Sequence, residues 1–450
     1  MARPFVDYFR CPTDVVQFEM DGGQSVDEGF FRFGPDAICF GRCSGGPPSK
    51  TLQHDLPDTA PAVRMNGERL RWPFDFSQVI GNLRHERYSM NCLGSFDRLI
   101  GGRASRRLYY SLRPLLPVPL RKRLQKIRLR GWEEIVFPHW PVDFTVETLM
   151  QSVLAFALRA TQADRIPFIW FWPDGAPSCA IVTHDVESAT GLRFCDQLMD
   201  MDDSFDIKSA FQIVPELRYE VSEEVLENFR RRGFELNVHD LNHDGYLFYE
   251  KQEFLRRAAH INRYATQFQS RGFRSGAMYR NQSWYDAFDF SYDMSVPNVA
   301  HFEPQRGGCC TVMPFFIGKI LELPLTTIQD YSLFHILDDH SINLWKRQLD
   351  VIREQNGLAT FLSHPDYLTK ARELGVYLEL LAHLARLRVD GKLWIALPRD
   401  VDRWWRSRHQ MSLVREGNDW RIEGPDKHRA RIAYASLQDD RLVYTVGGPS

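Results

Sequence analysis

Between residues 175 and 400, short apolar runs alternate with longer stretches that have the spacing of amphipathic helices. The apolar runs have the length of buried strands and lie at residues 177–187, 208–214, 234–238, 358–363 and 393–396. One helical stretch begins after Ser222, and three others lie at residues 250–269, 341–355 and 374–387. This alternation predicts a parallel sheet, closed or nearly closed into a barrel, with its chemistry at the carboxyl ends of the strands.

The pattern divides the chain into four regions. Residues 1–100 mix short aromatic strand-like runs with a turn-rich stretch, which predicts a small α+β region. Residues 101–170 are predicted as a basic helical linker region, and residues 171–408 as the (β/α) barrel. Residues 409–450 contain three short strand-like runs and are predicted as a short β extension. The predicted fold class is therefore α/β.

Side chains that bind metals stand where two of the predicted strands end. His239 and His243 are four residues apart, so both rings can face one point if the backbone between them makes about one helical turn. Imidazole is the commonest side-chain ligand of transition metals, and a hydrolytic site usually adds a carboxylate. Asp185 and Glu187 supply carboxylates that project to the same side of an extended backbone. Together the two segments predict a metal site.

Two later strands end in groups that suit the same site, namely Arg274 and His364. The four segments stand in the order Thr183–Val186, His239–His243, Arg274–Ala277 and Leu362–His364. In this order they resemble the motifs of the polysaccharide deacetylases, also called the NodB-homology family or carbohydrate esterase family four. The resemblance covers about residues 175–400. It implies the incomplete (β/α) barrel of that family, preceded by the N-terminal α+β region and followed by the C-terminal β extension.

The resemblance also implies an activity, which is metal-dependent removal of an acetyl group from an N-acetylated sugar in a polysaccharide or glycolipid. Asp185 corresponds to the general base and His364 to the general acid, while Arg274 holds Asp185 ionised. The implied cofactor is a divalent metal ion, with zinc as the first choice, bound by His239, His243 and a carboxylate.

The first motif departs from the family pattern at its metal-binding position. There the chain has Val186, which offers no ligand atom. Glu187 is the predicted substitute because it lies on the same side as Asp185 and has a longer reach, while His184 and Asp185 itself stay open as third ligands. The tyrosine of the third motif is also missing at its expected place, although Tyr279 stands nearby.

These departures leave three other interpretations open. One is a metal-free hydrolase of a small cyclic amide, an activity found in a relative of the family. The others are an inactive variant and a non-catalytic carbohydrate-binding barrel, against which the presence of both histidines argues. Four aromatic residues are candidate stacking faces for sugar rings, although core packing also explains them: Trp284, Tyr285, Tyr292 and Tyr331.

Composition sets limits on partners and location. The chain has 450 residues, 44% of them hydrophobic, and its net charge of −2 gives no indication of a nucleic-acid partner. No apolar run approaches the roughly eighteen residues of a spanning helix, and the first residues lack the build of a signal peptide. A cytoplasmic protein with scattered free thiols is therefore predicted. The sequence does not predict an oligomeric state.

A basic segment raises one further question about location. Residues 101–132 contain ten lysine and arginine side chains and no acid. Leu120, Leu124 and Ile127 are spaced so that part of residues 113–131 can form a helix with an apolar stripe and a basic face. Such a helix either packs on its own barrel or makes a peripheral contact with the inner face of the membrane.

Overall fold

The computed structural model describes residues 3–13, 15, 17–52, 55–66, 69–89, 129, 131–417 and 419–447. Its N-terminal region consists of two helices and five short strands, in the order α1 (Arg3–Phe9), β1 (Gln17–Met20), β2 (Gly29–Phe33), β3 (Ala37–Gly41), β4 (Arg64–Asn66), β5 (Arg69–Trp72) and α2 (Phe76–Arg84). Strands β1, β5 and β4 form one small sheet, and β2 pairs with β3. The predicted α+β character of this region is confirmed.

After residue 131 most helices are longer, and strands alternate with helices over much of the chain. The first part comprises α3 (Thr145–Thr161), β6 (Ile166–Ile169), β7 (Cys179–Val186), α4 (Ala189–Ser204), β8 (Ala210–Ile213), α5 (Glu223–Arg231), β9 (Glu235–His239), α6 (Lys251–Phe268) and β10 (Gly272–Arg274). The second part comprises β11 (Tyr292–Asp293), β12 (Phe315–Ile317), β13 (Ile320–Glu322), α7 (Asn343–Glu354), β14 (Leu358–Ser363), α8 (Pro365–Leu368), α9 (Ala371–Val389), β15 (Trp394–Ile395) and α10 (Pro398–Gln410).

Eight strands form the curved main sheet in the order β12-β13-β11-β10-β9-β8-β7-β14, and β15 pairs with the start of β7. All neighbours along this path are parallel except β12 and β13. All eight residues of β7 are buried, as expected for a parallel strand that is covered on both faces. The incomplete (β/α) barrel predicted from the alternating pattern is confirmed.

The sheet does not continue beyond β14, and the segment from residue 325 to residue 330 covers that edge through side chains. Thr326 Oγ1 accepts from Thr360 N at 2.8 Å and donates to the carbonyl of Leu358 at 2.7 Å. Thr327 Oγ1 donates to the carbonyl of Thr360 at 2.8 Å. These bonds satisfy backbone groups that a further strand would otherwise pair. They also carry residue 330 to the carboxyl end of β14.

The C-terminal strands are β16 (Ser412–Glu416), β17 (Asp419–Glu423), β18 (Ile432–Gln438) and β19 (Arg441–Val446). The predicted β extension is confirmed, with one more strand than the sequence indicated, because β16 is mostly exposed and has no apolar period. Strand β18 pairs with β19 and with β6, which precedes the barrel. The four region boundaries remain predictions.

Arg408 on α10 joins distant parts of the chain in one buried place. Its side chain is 1% exposed and donates to the carbonyls of Tyr8, Phe9, Ile169 and Trp170 at 2.7–3.2 Å. Four carbonyl dipoles compensate the buried guanidinium, which has no carboxylate partner among the described residues. The N-terminal helix, β6 and α10 are thereby held together around one hydrophobic core.

The seven cysteines within the described residues are all buried, and none of them forms a disulfide bond there, in line with the predicted thiols. None of the helices in that part of the chain is long and apolar enough to cross a membrane. The proposed membrane contact through residues 113–131 lies outside the described residues, apart from Leu129 and Gly131.

We predict that the ion pair between Glu86 and Arg280 is needed for stability. Glu86, which is 7% exposed, accepts from Arg280 Nε and from Gly308 N at 2.6 Å each, and so docks the N-terminal region on the barrel. Glu86→Gln leaves the buried guanidinium without its counter-charge and should cost about 3–5 kcal/mol in the free energy of unfolding. Urea denaturation monitored by circular dichroism measures this change.

Asp27→Asn is the matched control, because Asp27 pairs with Lys50 at 3.4 Å on the exposed surface. Its cost should stay below about 1 kcal/mol. Equal unfolding midpoints for Glu86→Gln and the unmodified protein would contradict the prediction.

Candidate active site

Strand β7 directs alternate side chains to opposite faces of the sheet, and this decides which of its polar residues reach the site. Asp185 points into the barrel, where Arg274 binds it, whereas Val186 is fully buried in the core between sheet and helices. His184 also lies on the outer face, with Nδ1 2.9 Å from Ser363 Oγ and Nε2 3.4 Å from Asp202 Oδ2. Its ring is therefore directed away from Asp185, and His184 is not placed as a third metal ligand.

His239 and His243 do approach each other, but not on a helical turn. Their ring centroids are 4.9 Å apart. His239 ends β9, and the loop that follows has two residues with positive φ, Asp240 at 56° and His243 at 55°. The loop wraps around Gly276, where a Cβ atom would lie 2.5 Å from Asp240 Oδ2 and 2.9 Å from His243 Cδ2. Glycine at position 276 is thus required for this loop to bring His243 back toward His239.

The carboxylate of Glu187 faces both rings. Glu187 Oε1 lies 2.9 Å from His243 Nε2 and 3.7 Å from His239 Nε2. One ligand atom from each of these three residues lies within 4.8 Å of the other two. Both Nε2 atoms are buried, and neither forms a hydrogen bond of acceptable geometry. Two buried imidazole nitrogens without a hydrogen bond, together with a carboxylate that faces both, fit a divalent ion such as zinc.

The charges of this cluster reinforce one another. Burial by itself raises the pKa of Glu187, but His243, His239 and His364 outweigh this effect and hold the pKa well below its usual value. Burial lowers the pKa of His243, and the nearby Glu187 carboxylate raises it above its usual value. In addition, His239 Nδ1 lies 3.1 Å from the carbonyl of Arg274. This contact directs Nε2 of His239 toward the site, as partners of metal-binding histidines usually do.

Asp185 is held as an ionised carboxylate. Burial raises its pKa, but Arg274, His239 and His364 together lower it below the usual value. Arg274 Nη1 donates to Asp185 Oδ1 at 2.8 Å and to Thr183 Oγ1 at 2.9 Å, and the Arg274 side chain is fully buried. The other carboxylate oxygen, Oδ2, lies 3.6 Å from His239 Nε2. A charged, oriented carboxylate therefore stands beside the three candidate ligands.

His364 stands on the other side of Glu187, with its Nε2 atom 3.5 Å from Glu187 Oε1. Its Nδ1 lies 2.6 Å from Asp330 Oδ1, and its backbone N–H donates to Asp330 Oδ2 at 2.7 Å. Burial lowers the pKa of His364, but Asp330 and Glu187 raise it well above its usual value. These two carboxylates therefore favour the protonated form of the ring, the form that can act as a proton donor.

The comparisons with known proteins can be set beside this geometry. No protein-family model and no curated protein matches the sequence. A protein of Mycobacterium smegmatis assigned as a polysaccharide deacetylase is 17% identical, with a TM-score of 0.41 over 53% of this chain and 93% of that chain. The Puue allantoinase also matches, with 14% identity and a TM-score of 0.43 over 52% of this chain and 92% of that chain. The peptidoglycan deacetylase PdaC of Bacillus subtilis matches with 12% identity and a TM-score of 0.33 over 50% of this chain and 90% of that chain.

This part of the chain is similar to the polysaccharide deacetylases. The barrel brings together all six residues singled out in the sequence, and it places them at or just after the carboxyl ends of β7, β9, β10 and β14: Asp185, Glu187, His239, His243, Arg274 and His364. The roles of these residues remain proposals.

Sequence reasoning missed Asp330, the partner of His364. A signal was available, because Asp330 follows the polar run Thr326-Thr327 after an apolar strand, in the same way that Asp185 follows its own strand. Apart from one isolated bridge at Leu325, however, the segment has no strand pairing, and its place beside β14 depends on side-chain hydrogen bonds. Such bonds leave no periodic trace in a sequence.

We predict that His239→Ala and His243→Ala each abolish stoichiometric zinc binding in a folded protein, because each removes one of three ligands. Glu187→Ala should lower the affinity by more than the about 10- to 100-fold that loss of an outer partner costs. Zinc titration and metal analysis after dialysis measure this, with circular dichroism as the check on folding.

His364→Ala serves as the control, since it changes a histidine of the same site that is not among the three candidate ligands. It should retain zinc. Full occupancy in the double histidine variant would exclude the assignment, and unchanged affinity in Glu187→Ala would transfer the carboxylate role to Asp185.

Asp330 should control the pH dependence of the reaction. A proton donor works below its pKa, so activity is lost as the pH rises through that value. Asp330→Asn removes the charge that raises the pKa of His364, and the alkaline limb of kcat/KM should move down by about one to two pH units. Asp338→Asn changes an exposed carboxylate eight residues further along the chain and should leave the alkaline limb of kcat/KM in place. If the alkaline limb of kcat/KM does not move in Asp330→Asn, Asp330 does not control the pKa of His364 in the reaction.

Proposed function

We propose that the protein is a metal-dependent hydrolase that removes an acetyl group from an N-acetylated sugar in a polysaccharide or glycolipid. The observation that carries this proposal is the order of groups across the site. Asp185, ionised and bound to Arg274, lies on one side of the Glu187, His239 and His243 cluster, and protonated His364 lies on the other. Hydrolysis of an amide needs a base for the attacking water and an acid for the departing amine, at separate positions.

Glu187, His239 and His243 are the residues that would hold the ion. A divalent ion bound there supplies Lewis-acid chemistry, which polarises the acyl oxygen and makes a neighbouring water more acidic. The donor set of two imidazoles and one carboxylate leaves coordination positions for water and substrate. Zinc suits this set best among the common divalent ions.

The proton transfers fall to Asp185 and His364. Asp185 Oδ2 takes the proton of the attacking water, while Oδ1 stays bound to Arg274. Arg274 keeps the carboxylate ionised and fixes its direction through a charge-assisted hydrogen bond. His364 donates its Nε2 proton to the nitrogen of the breaking amide bond, and Asp330 at Nδ1 stabilises the imidazolium before that transfer.

The altered first motif is compatible with activity in this arrangement. Val186 faces the core, and Glu187, one residue later, reaches the two histidines from the same face as Asp185. The carboxylate ligand is thus moved along the chain rather than lost. This supports a catalytic barrel over a non-catalytic one.

We predict that Asp185→Asn and His364→Ala each lower the rate of acetate release by about 10² to 10⁴-fold. Both should retain zinc and the fold, because neither removes one of the three candidate ligands. The assay uses the full zinc-loaded chain with N-acetylglucosamine oligosaccharides and an O-acetylated xylan, and it includes allantoin as a small cyclic amide.

Matched controls come from exposed positions. Asp289→Asn and His260→Ala change the same residue types outside the site and should leave the rate unchanged. Near wild-type acetate release by Asp185→Asn would exclude the mechanism. Turnover of allantoin without added metal, in place of acetate release, would favour the cyclic-amide alternative.

A further inference from the structure

Three aromatic side chains form a cluster on the acid side of the site. We call Tyr331, His335 and Tyr367 the acid-side aromatic cluster. The ring centroid of Tyr367 lies 5.0 Å from that of His364, 5.0 Å from His335 and 5.8 Å from Tyr331. Tyr331 and His335 are 5.3 Å apart. The cluster is therefore continuous with the ring of His364.

Two separate elements hold this cluster in place. Tyr331 and His335 lie on the irregular turn that follows Asp330, where residues Ser332–Ile336 form a π-helix. Tyr367 lies on α8, and its backbone N–H donates to the carbonyl of His364 at 3.0 Å. The cluster is thus fixed by the same two segments that hold His364 and Asp330 together.

The cluster differs from the other aromatic residues considered as sugar contacts. Tyr285 and Tyr292 are at most 1% exposed and belong to the core, and Trp284 packs against Phe254 at 5.3 Å. Trp284 is half-buried as well, so Tyr331, His335 and Tyr367 are distinguished by being both half-buried and in continuous ring contact with His364.

Tyr367 also brings a polar group to this position. Its hydroxyl forms no hydrogen bond with any described residue. Burial raises the pKa of Tyr367, and the negative charges of Glu187 and Asp330 raise it further, so the phenol is neutral and close to both carboxylates. An aromatic ring that carries an unpaired O–H offers a flat apolar face and one hydrogen-bond donor.

The position of the acid determines where the sugar must lie. His364 protonates the departing nitrogen, and in an N-acetylated sugar that nitrogen is bonded to the pyranose ring. The acetyl carbon faces Asp185 and the candidate metal ligands, so the sugar ring extends to the His364 side, where the cluster lies.

We propose that the acid-side aromatic cluster is the subsite for the pyranose ring that bears the acetamido group, with Tyr367 stacking on the ring and donating its O–H to a sugar hydroxyl. This inference rests on the proposed function and names the part of the substrate that the site recognises. Few rotatable bonds and a mixed polar and apolar surface make tyrosine suited to such contacts.

The test separates binding from catalysis. The zinc-loaded Asp185→Asn protein, in which hydrolysis is suppressed, is titrated calorimetrically with an N-acetylglucosamine tetrasaccharide. Adding Tyr367→Ala should weaken binding by at least about tenfold. Tyr367→Phe, which keeps the ring and loses the hydroxyl, should weaken it less, by about threefold. Tyr434→Ala removes a half-buried tyrosine of the C-terminal sheet and should change nothing.

Kinetics on the otherwise unmodified protein supply the second measurement. Tyr367→Ala should raise KM for the tetrasaccharide, and the pH limits of kcat, which His364 and Asp185 set, should stay where they are. A purely structural loss would lower kcat and displace the pH limits as well.

Each outcome decides between the two proposals. Unchanged tetrasaccharide affinity in Tyr367→Ala, or no binding to the parent protein, overturns the subsite. Tyr367-dependent binding without acetate release from the zinc-loaded protein keeps the subsite and rejects the hydrolase. Acetate release with a KM that does not depend on Tyr367 keeps the hydrolase and rejects the subsite.

Discussion

The buried charge of Arg274 is the constraint on which the site depends. A guanidinium that is closed off from water is tolerated only when carboxylate, carbonyl or other acceptor groups surround it. Arg274 meets this requirement by donating to Asp185, Thr183 and the carbonyl of Met294, while its own carbonyl accepts from Asp240 N and faces His239. Strands β7, β9 and β10 are thereby fixed relative to one another. The position of the base and the direction of one candidate ligand follow from a single residue.

The acid side is built differently, because it lies where the barrel is incomplete. A closed sheet would pair the free edge of β14 through backbone groups, but here the hydroxyls of Thr326 and Thr327 make the contacts. This arrangement places Asp330 next to His364, where its carboxylate contacts both the backbone N–H and the ring of His364. The open edge of the barrel thus provides the space for His364, the proposed proton donor, and for the half-buried aromatic rings beside it.

The N-terminal region contributes to the site indirectly. Glu86 binds Arg280, which follows Arg274 by six residues, and it also accepts from Gly308 N in the loop between β11 and β12. That loop carries Glu303, whose pKa is raised mainly by burial and further by Asp185, and lowered by its contact with Gln329. Regions far apart in sequence therefore contribute to the electrostatic surroundings of His364 and Asp185.

The sequence determined the barrel and the identity of six site residues, because strand and helix periods and the polar ends of strands are local features. It also predicted Glu187 as the substitute for the ligand missing at Val186, since side-chain direction alternates along a strand, and the structure places the Glu187 carboxylate beside both histidines. Tertiary structure alone decided the rest. His184 and His243 illustrate this: one packs away from the site, and the other reaches it through a loop with positive φ rather than a helical turn. Asp330 joined the site through side-chain contacts between distant segments, and such contacts have no local pattern from which they could be predicted.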